Sequence, residues 1–365
     1  IKMNQKQIDA ARQAMTEWLA HPQELGKAPA KIEYTETFEL HDMRYYIFRY
    51  KKSMLGKWLL GVCGGYEGDE LEHCGHVFSE MEEYDESTAV ESAKNMVEMI
   101  RSYWMQQAEE AEERKKSAGV FLGFALLSDD SWDKEQLMSD LKEKWDIIAE
   151  EDEDKREDSL IFSCGDMLAA LSLMPAPIPD GEAETNAENN YMWPEAVKAA
   201  REHKAHIMVS VMGNEQSLIE KGKLYVKLLA ACCSQKNVSG IYSSGVVFEP
   251  RFYEAFADMM KDGRLPVFNW IWFGLYRSEK GVCGYTYGME AFGKDEMEVL
   301  DADDEPSEVR DFLAGIASYV LEYDAEFLDG ETVGFSAEDK HSITRSQGSA
   351  LPGKMTLKIS YEGSV

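Results

Sequence analysis

The 365-residue chain predicts an α+β protein, with an N-terminal α-ββββ-α domain followed by a tandem pair of ferredoxin-like βαββαβ units. Three observations carry that expectation. The hydrophobic spacing changes from helical to alternating within the first forty residues. A long amphipathic segment with a fully charged tail closes this region near residue 117. Beyond it, strand-like and helix-like segments follow each other twice in the order β-α-β-β-α-β.

Residues 1–117 form the first domain. Ile8, Ala11, Met15, Trp18 and Leu19 recur at helical spacing and place a helix over Asn4–Ala20. Four strands follow, around Ile32–Phe38, Tyr45–Phe48, Trp58–Val62 and His76–Phe78. Asp42, Gly56 and the Gly64–Asp69 stretch supply the turns. Ala89, Ala93, Met96, Val97, Ile100 and Trp104 then share one face of a helix over Ser87–Lys115.

The first repeat unit spans residues 118–213. Val120–Leu127 is nearly continuous apolar sequence, the mark of a buried central strand. Ser131 is positioned to cap a helix that runs to Trp145, with Leu137 and Leu141 inward. Leu160–Ser163 and Met167–Leu173 read as two strands, the second ended by the proline-rich run Met174–Pro179. Pro194 opens a helix to His203, and Ala205–Val211 is the fourth strand. A connecting helix fills residues 214–236.

The second unit, residues 237–365, starts with a strand at Gly240–Ser243 and a helix at Arg251–Lys261. Val267–Tyr276 and Gly281–Met289 read as strands, the latter extending toward Val299. Ser307–Tyr323 is a helix and Met355–Tyr361 a final strand. Alternation along Val267–Tyr276 puts Phe268, Trp270 and Trp272 on one face and Asn269, Ile271 and Phe273 on the other. Two apolar faces require cover on both sides. The two sheets are therefore expected to pack together as one pseudo-symmetric domain, with either a solid seam or a ligand cavity between them.

Charge narrows the partners. The chain carries 38 Lys and Arg against 68 Asp and Glu, a net charge of −30. Residues 1–117 hold 15 basic and 22 acidic residues, so most of the excess belongs to the repeat region. Such a surface repels nucleic acid and anionic membranes and attracts a basic protein partner. No apolar run reaches the roughly 18–20 residues of a membrane span. Ile1–Ala11 is polar, so no signal peptide is expected. The six cysteines form no C-x-x-C pair, which fits reduced thiols and a cytoplasmic location.

No catalytic constellation, metal site or cofactor motif is assigned. His73-Cys74-Gly75-His76, even joined by Cys63, falls one ligand short of tetrahedral zinc and also fits ordinary strand side chains. His203 and His206 flank a helix-to-strand junction. They suit helix capping, or an acid/base or metal site completed by a third group such as Asp166 or Glu195. The acidic runs Glu150–Asp154 and Asp301–Glu305 lack EF-hand order. Gly61–Gly65 lacks a phosphate-loop ending, and there is no G-x-S-x-G elbow. Two long loops, Pro175–Trp193 and Ala325–Lys354, are candidates for function. The second holds a basic island, Lys340, His341, Arg345 and Ser346, suited to an anionic ligand or to neighbouring acids. The candidate ligand-binding residues are Trp193, His203, His206, Trp270, Trp272, Tyr287, His341 and Arg345.

Several ordered stretches carry a resemblance. They are Leu173–Pro179, Trp193-Pro194-Glu195-Ala196, His203–Ile207, Tyr285-Thr286-Tyr287-Gly288-Met289 and Asp329–Gly334. Over residues 118–362 the chain resembles a bacterial family known as domain of unknown function 4261. The resemblance implies no activity and no catalytic residue; it suggests bacterial accessory and toxin-immunity proteins. The functional expectation is a non-catalytic binding protein, such as an immunity-type inhibitor of a basic partner. The alternatives are a small-molecule-binding protein or hydrolase-like enzyme with a pocket between the two units, and a structural adaptor.

Overall fold

The computed structural model describes residues 4–21, 24–78, 82–151, 155–213 and 217–362; the side chains of His73-Cys74-Gly75-His76 lie outside that description. The chain is a mixed α+β protein that divides into two compact units, Ile1–Glu110 and Ala111–Val365.

The first unit opens with α1 (Gln5–Ala20), whose Gln7 amide is capped by the Asn4 side chain at 3.3 Å. Strands β1 (Lys31–Leu40), β2 (Met43–Lys51), β3 (Leu59–Glu67) and β4 (His73–Phe78) form an antiparallel meander in chain order. Alternation along β2 sends Tyr46, Phe48 and Tyr50 toward Ile8, Ala11, Met15 and Leu19 of α1. Tyr45 and Ile47 go the other way, onto Ala89, Ala93, Met96 and Val97 of α2 (Ala89–Ser117). A sheet covered on both faces explains why Tyr45–Phe48 of β2 and Leu59–Tyr66 of β3 are buried without interruption.

The second unit contains β5 (Phe121–Leu127), α3 (Lys134–Trp145), β6 (Ser159–Cys164) and β7 (Met167–Met174). Next come α4 (Glu182–Ala187), α5 (Ala196–Glu202), β8 (Ala205–Met212), α6 (Leu218–Cys232), β9 (Val238–Ser243) and β10 (Val246–Phe248). The chain continues through α7 (Pro250–Ala257), α8 (Val267–Trp270), β11 (Trp272–Arg277), β12 (Val282–Tyr287) and β13 (Met297–Ala302). It ends with α9 (Pro306–Tyr323), β14 (Thr332–Val333), β15 (His341–Gln347) and β16 (Met355–Ile359). The cap of α3 is Asp133, which accepts from the Gln136 amide at 3.0 Å; Ser131 instead closes a turn with Asp129.

The pairing of these strands corrects the ferredoxin-like tandem. The first six-stranded sheet has the order β10-β9-β5-β8-β7-β6 and is antiparallel throughout. A split βαβ unit sets its first and third strands side by side. Here β8 separates β5 from β7. The strand expected to start the second repeat, β9, pairs instead with the free edge of β5. The physical reason is that β5 is apolar on both faces and occupies the sheet centre, where both edges need partners. The second sheet, β11-β12-β13-β16-β15-β14, joins two antiparallel meanders through the parallel β13–β16 pair. It does not repeat the first, so the boundary expected at residue 237 does not separate the sheets.

Helices lie between the two sheets, which corrects the expected face-to-face packing. α6 packs on β5 and β8, α9 on β11, β12 and β13, and α8 touches both helices. Leu224, Tyr225, Val226, Leu228, Leu229 and Ala230 of α6 are all buried, as expected of a helix apolar nearly all round. One core continues from Leu137 and Leu228 to Val309, Leu313 and Val320. On the far side of the first sheet, α4 and α5 cover Leu126, Tyr242 and Val247.

Two local expectations also change. The aromatic run is not one strand: the Ile271 amide donates back to Val267 O at 2.9 Å, closing the single turn of α8 before β11 begins. Residues 325–354, expected as a loop, contain β14 and β15, so the basic island lies largely on a strand.

Candidate functional site

Within the second unit, a cavity of about 190 Å³ opens where β10, α7 and the segment before α5 meet α8, β11 and α9. Its lining is Asn190, Tyr191, Met192, Trp193, Phe248, Glu249, Phe252, Phe256, Phe268, Ile271, Trp272, Phe273 and Arg310.

Backbone hydrogen bonds pin the walls. The Asn190 amide donates to Val247 O at 2.8 Å, while its oxygen accepts the Met192 and Trp193 amides at 2.8 and 3.0 Å. Tyr191 donates its hydroxyl to Phe273 O at 2.8 Å, tying the same segment to β11. Asn269 donates to Tyr253 O at 2.8 Å and so joins α8 to α7.

The rings form two groups. Phe252 and Phe256 lie one turn apart on α7 with centroids 6.2 Å apart, and Phe256 stacks on Phe268 at 5.2 Å. Phe268 then meets Phe273 edge-on at 5.5 Å. Trp272 sits between Tyr191, at 5.1 Å, and the edge of Phe248, at 5.8 Å. Phe252 and Met192 are about 40% exposed and mark the accessible rim.

Three polar features give the lining direction. Arg310 and Glu249 place one positive and one negative side chain at the wall. Burial pushes the Tyr191 phenol up to about 12 against the opposing pull of Arg310, so it remains a neutral donor. The buried Trp272 Nε1–H has no hydrogen-bond partner among the described residues. Leaving such a donor unpaired costs about 1–3 kcal/mol.

Of the residues expected at the site, Trp193 and Trp272 line this cavity. Trp270 is core: its Nε1–H donates to Gly222 O at 2.9 Å, and its ring lies so close to Gly222 that a Cβ there would be 3.0 Å from it. Both ring nitrogens of His203 meet backbone, Nε2 accepting from the Ile178 amide at 2.9 Å and Nδ1 bonding Ala200 O. His206 bonds Ala176 O at 2.8 Å, and burial lowers its pKa. His341 lies between Ser360 O and Asp339, at 2.7 and 2.6 Å. Arg345 is nearly buried and bonds Asp295 at 2.9 Å. Tyr287 lies under the Lys354 ammonium at 5.2 Å. None of these six lines the cavity, and His203 and His206 both anchor the Ala176–Ile178 segment.

Phe248, Tyr191, Arg310, Phe252 and Phe256 were not among the site residues expected from the sequence. The signal available for the last two was their spacing of four on a short helix, which also marks a ring pair at a cavity rim. Among the described residues, no group of three or more His, Cys, Asp or Glu is placed to hold a metal ion. No helix among them is long and apolar enough to cross a membrane.

Comparison with known proteins adds one finding. Residues 285–360 match the family model described as Domain of unknown function (DUF4261). The DUF4261 match takes in the end of β12, then β13, α9 and β14 to β16, and so includes Arg310 of the cavity. The stretches Leu173–Pro179, Trp193–Ala196 and His203–Ile207 lie outside it. No curated protein and no solved structure matches the chain.

Within the DUF4261 segment, Glu296 is fully enclosed. It accepts from the Thr286 hydroxyl at 2.6 Å and the Gly288 amide at 2.8 Å. Gly288 has φ of 127°, and a Cβ there would fall 2.3 Å from Trp270 O, so only glycine fits. Burial raises the Glu296 carboxyl to about 7 despite those two donors.

Proposed function

We propose that this protein is a non-catalytic binding protein that takes a small, planar, largely apolar molecule into the cavity between α7 and β11. The single observation that carries this reading is a pinned, aromatic-lined space of about 190 Å³ with Arg310 in its wall. An engineered apolar cavity of roughly 150 Å³ admits benzene, so this one suits one or two fused rings. Arg310 favours a ligand with a carboxylate or similar group. Among the described residues Cys164, Cys232, Cys233 and Cys283 form no disulfide, which fits a cytoplasmic location.

The test is a calorimetric titration with indole. Saturable heat of binding is expected from the unaltered protein, because the cavity takes one ring system. Met192→Trp places a large ring at the exposed rim and is expected to abolish saturation while leaving the fold intact. No saturable heat from the unaltered protein, or an unchanged titration in Met192→Trp, would exclude the cavity.

The charge favours a second reading, an inhibitor-like protein whose acidic surface covers a basic partner. Residues 118–365 carry 23 basic and 46 acidic residues. Such a partner's association rate would fall steeply with salt, whereas entry of a ring into the cavity would not.

A further inference from the structure

The first sheet of the second unit buries one face and leaves much of the other bare. Ala125, Val209, Ala169 and Leu160 turn into the core on the side where α6 packs. On the opposite face, α4 and α5 cover only the end around Leu126, Tyr242 and Val247. Beyond them the register sets outward side chains in rows across β5, β8, β7 and β6. One row runs from Phe124 to Ser159. The next is Leu122–Ser210–Ala170–Ile161, and a third runs from Met212 to Ser163. Val120, two residues before Leu122, lies on the same side. None of these side chains is charged, although 29% of the chain is. An antiparallel sheet with one solvated face normally alternates apolar inside with polar outside. Here Val120, Leu122, Met212, Ile161 and Leu168 face outward and are 71, 47, 47, 43 and 37% exposed.

We propose that this face is a dimer interface, packed sheet to sheet on the same face of a second copy. Charge selects that occupant. A basic partner, suited to the acid elsewhere on the chain, would bury its cations here with no counter-charge. A lipid interface is gripped through Lys, Arg, Trp and Tyr, and the rows hold none of these. A second copy brings an equally uncharged surface, and a two-fold contact uses one patch on both sides. Area agrees. Rows lie two residues apart and strands about 4.8 Å apart, so the grid covers about 400 Å² with its side-chain margin. Two copies bury about 800 Å² through it, close to the roughly 1,000 Å² that a specific interface needs. Met174, 40% exposed on the next row, enlarges the contact. Such an area suits a reversible, micromolar dimer.

The experiment is sedimentation equilibrium of the full chain over a range of concentration and salt. A monomer–dimer equilibrium is expected. Added salt should tighten it, because salt screens the repulsion between two chains of charge −30 and no ion pair joins them. Leu122→Asp and Leu168→Asp each put two carboxylates into the uncharged contact and should leave monomer alone, with unchanged circular dichroism. Hydroxyl-radical labelling of the unaltered protein gives a second reading: Met212 should be protected at dimeric concentrations and modified on dilution. A dimer that salt weakens, a dimer untouched by both substitutions, or equal modification of Met212 in both states would overturn the proposal. So would a monomer at every concentration; if that monomer sedimented with phosphatidylcholine vesicles, the face would belong to lipid.

Discussion

Replacing Glu296 by Gln tests the energetics of the second unit at a deeply buried acid. The carboxyl is 3% exposed, and burial raises its pKa from 4.5 to about 7. The folded state therefore holds the proton more tightly than the unfolded chain does. Its stabilising effect is complete at acid pH and declines as pH rises from about 4.5 to about 7, then stays level. At ~1.4 kcal/mol per pH unit, that interval corresponds to about 3 kcal/mol. Gln keeps an oxygen for the Gly288 amide, and its NH₂ can donate to Thr286 Oγ1, which rotates its own hydrogen away. The variant should match the unaltered protein near pH 5 and exceed it by up to about 3 kcal/mol near pH 8. Calorimetry of both proteins at the two pH values reads the difference, and subtraction removes the titration of the other acids. At roughly 2–4 °C per kcal/mol for a unit of this size, the gain is on the order of 5–10 °C. An equal difference at both pH values would refute the burial argument.

Two further substitutions test the corrected roles of residues first expected at the site. Arg345→Ala should destabilise the fold by about 3 kcal/mol in thermal unfolding, because it strips Asp295, only 7% exposed, of its 2.9 Å partner. A loss below about 1 kcal/mol would mean that Arg114, 3.3 Å from Asp295, suffices alone. His203→Ala should cost about 2 kcal/mol by orphaning the Ile178 amide, yet leave the indole titration unchanged. A weakened titration would return His203 to the ligand site.

The long helices were legible because each repeats its apolar spacing over several turns: Ile8 to Leu19 for α1, Val309 to Val320 for α9. The turn Val267–Trp270 was not, because a short apolar run fits strand and helix alike. The bonds from Ile271 to Val267 O and from Trp270 to Pro266 O distinguish them here. β15 was missed because its polar alternation, His341 to Gln347, suits an edge-near strand as well as a loop. Strand order was beyond reach. Nothing local says that β9 pairs with β5 across more than a hundred residues. The cavity inherits that limit, since Trp193, Phe256 and Trp272 come together only through the order of the layers. Its two tryptophans could be named in advance as large rings needing cover, whereas Arg310 had no distinguishing neighbour on a helix read as amphipathic.

The most direct measurement is a crystal structure of the protein soaked in 5-bromoindole, with anomalous data at the bromine edge. A bromine peak inside the space bounded by Trp193, Phe256 and Trp272, with the indole between those rings, is the predicted result. No peak there, with Phe252, Phe256 and Trp272 collapsed onto one another, would contradict the assignment of this cavity as a ligand site.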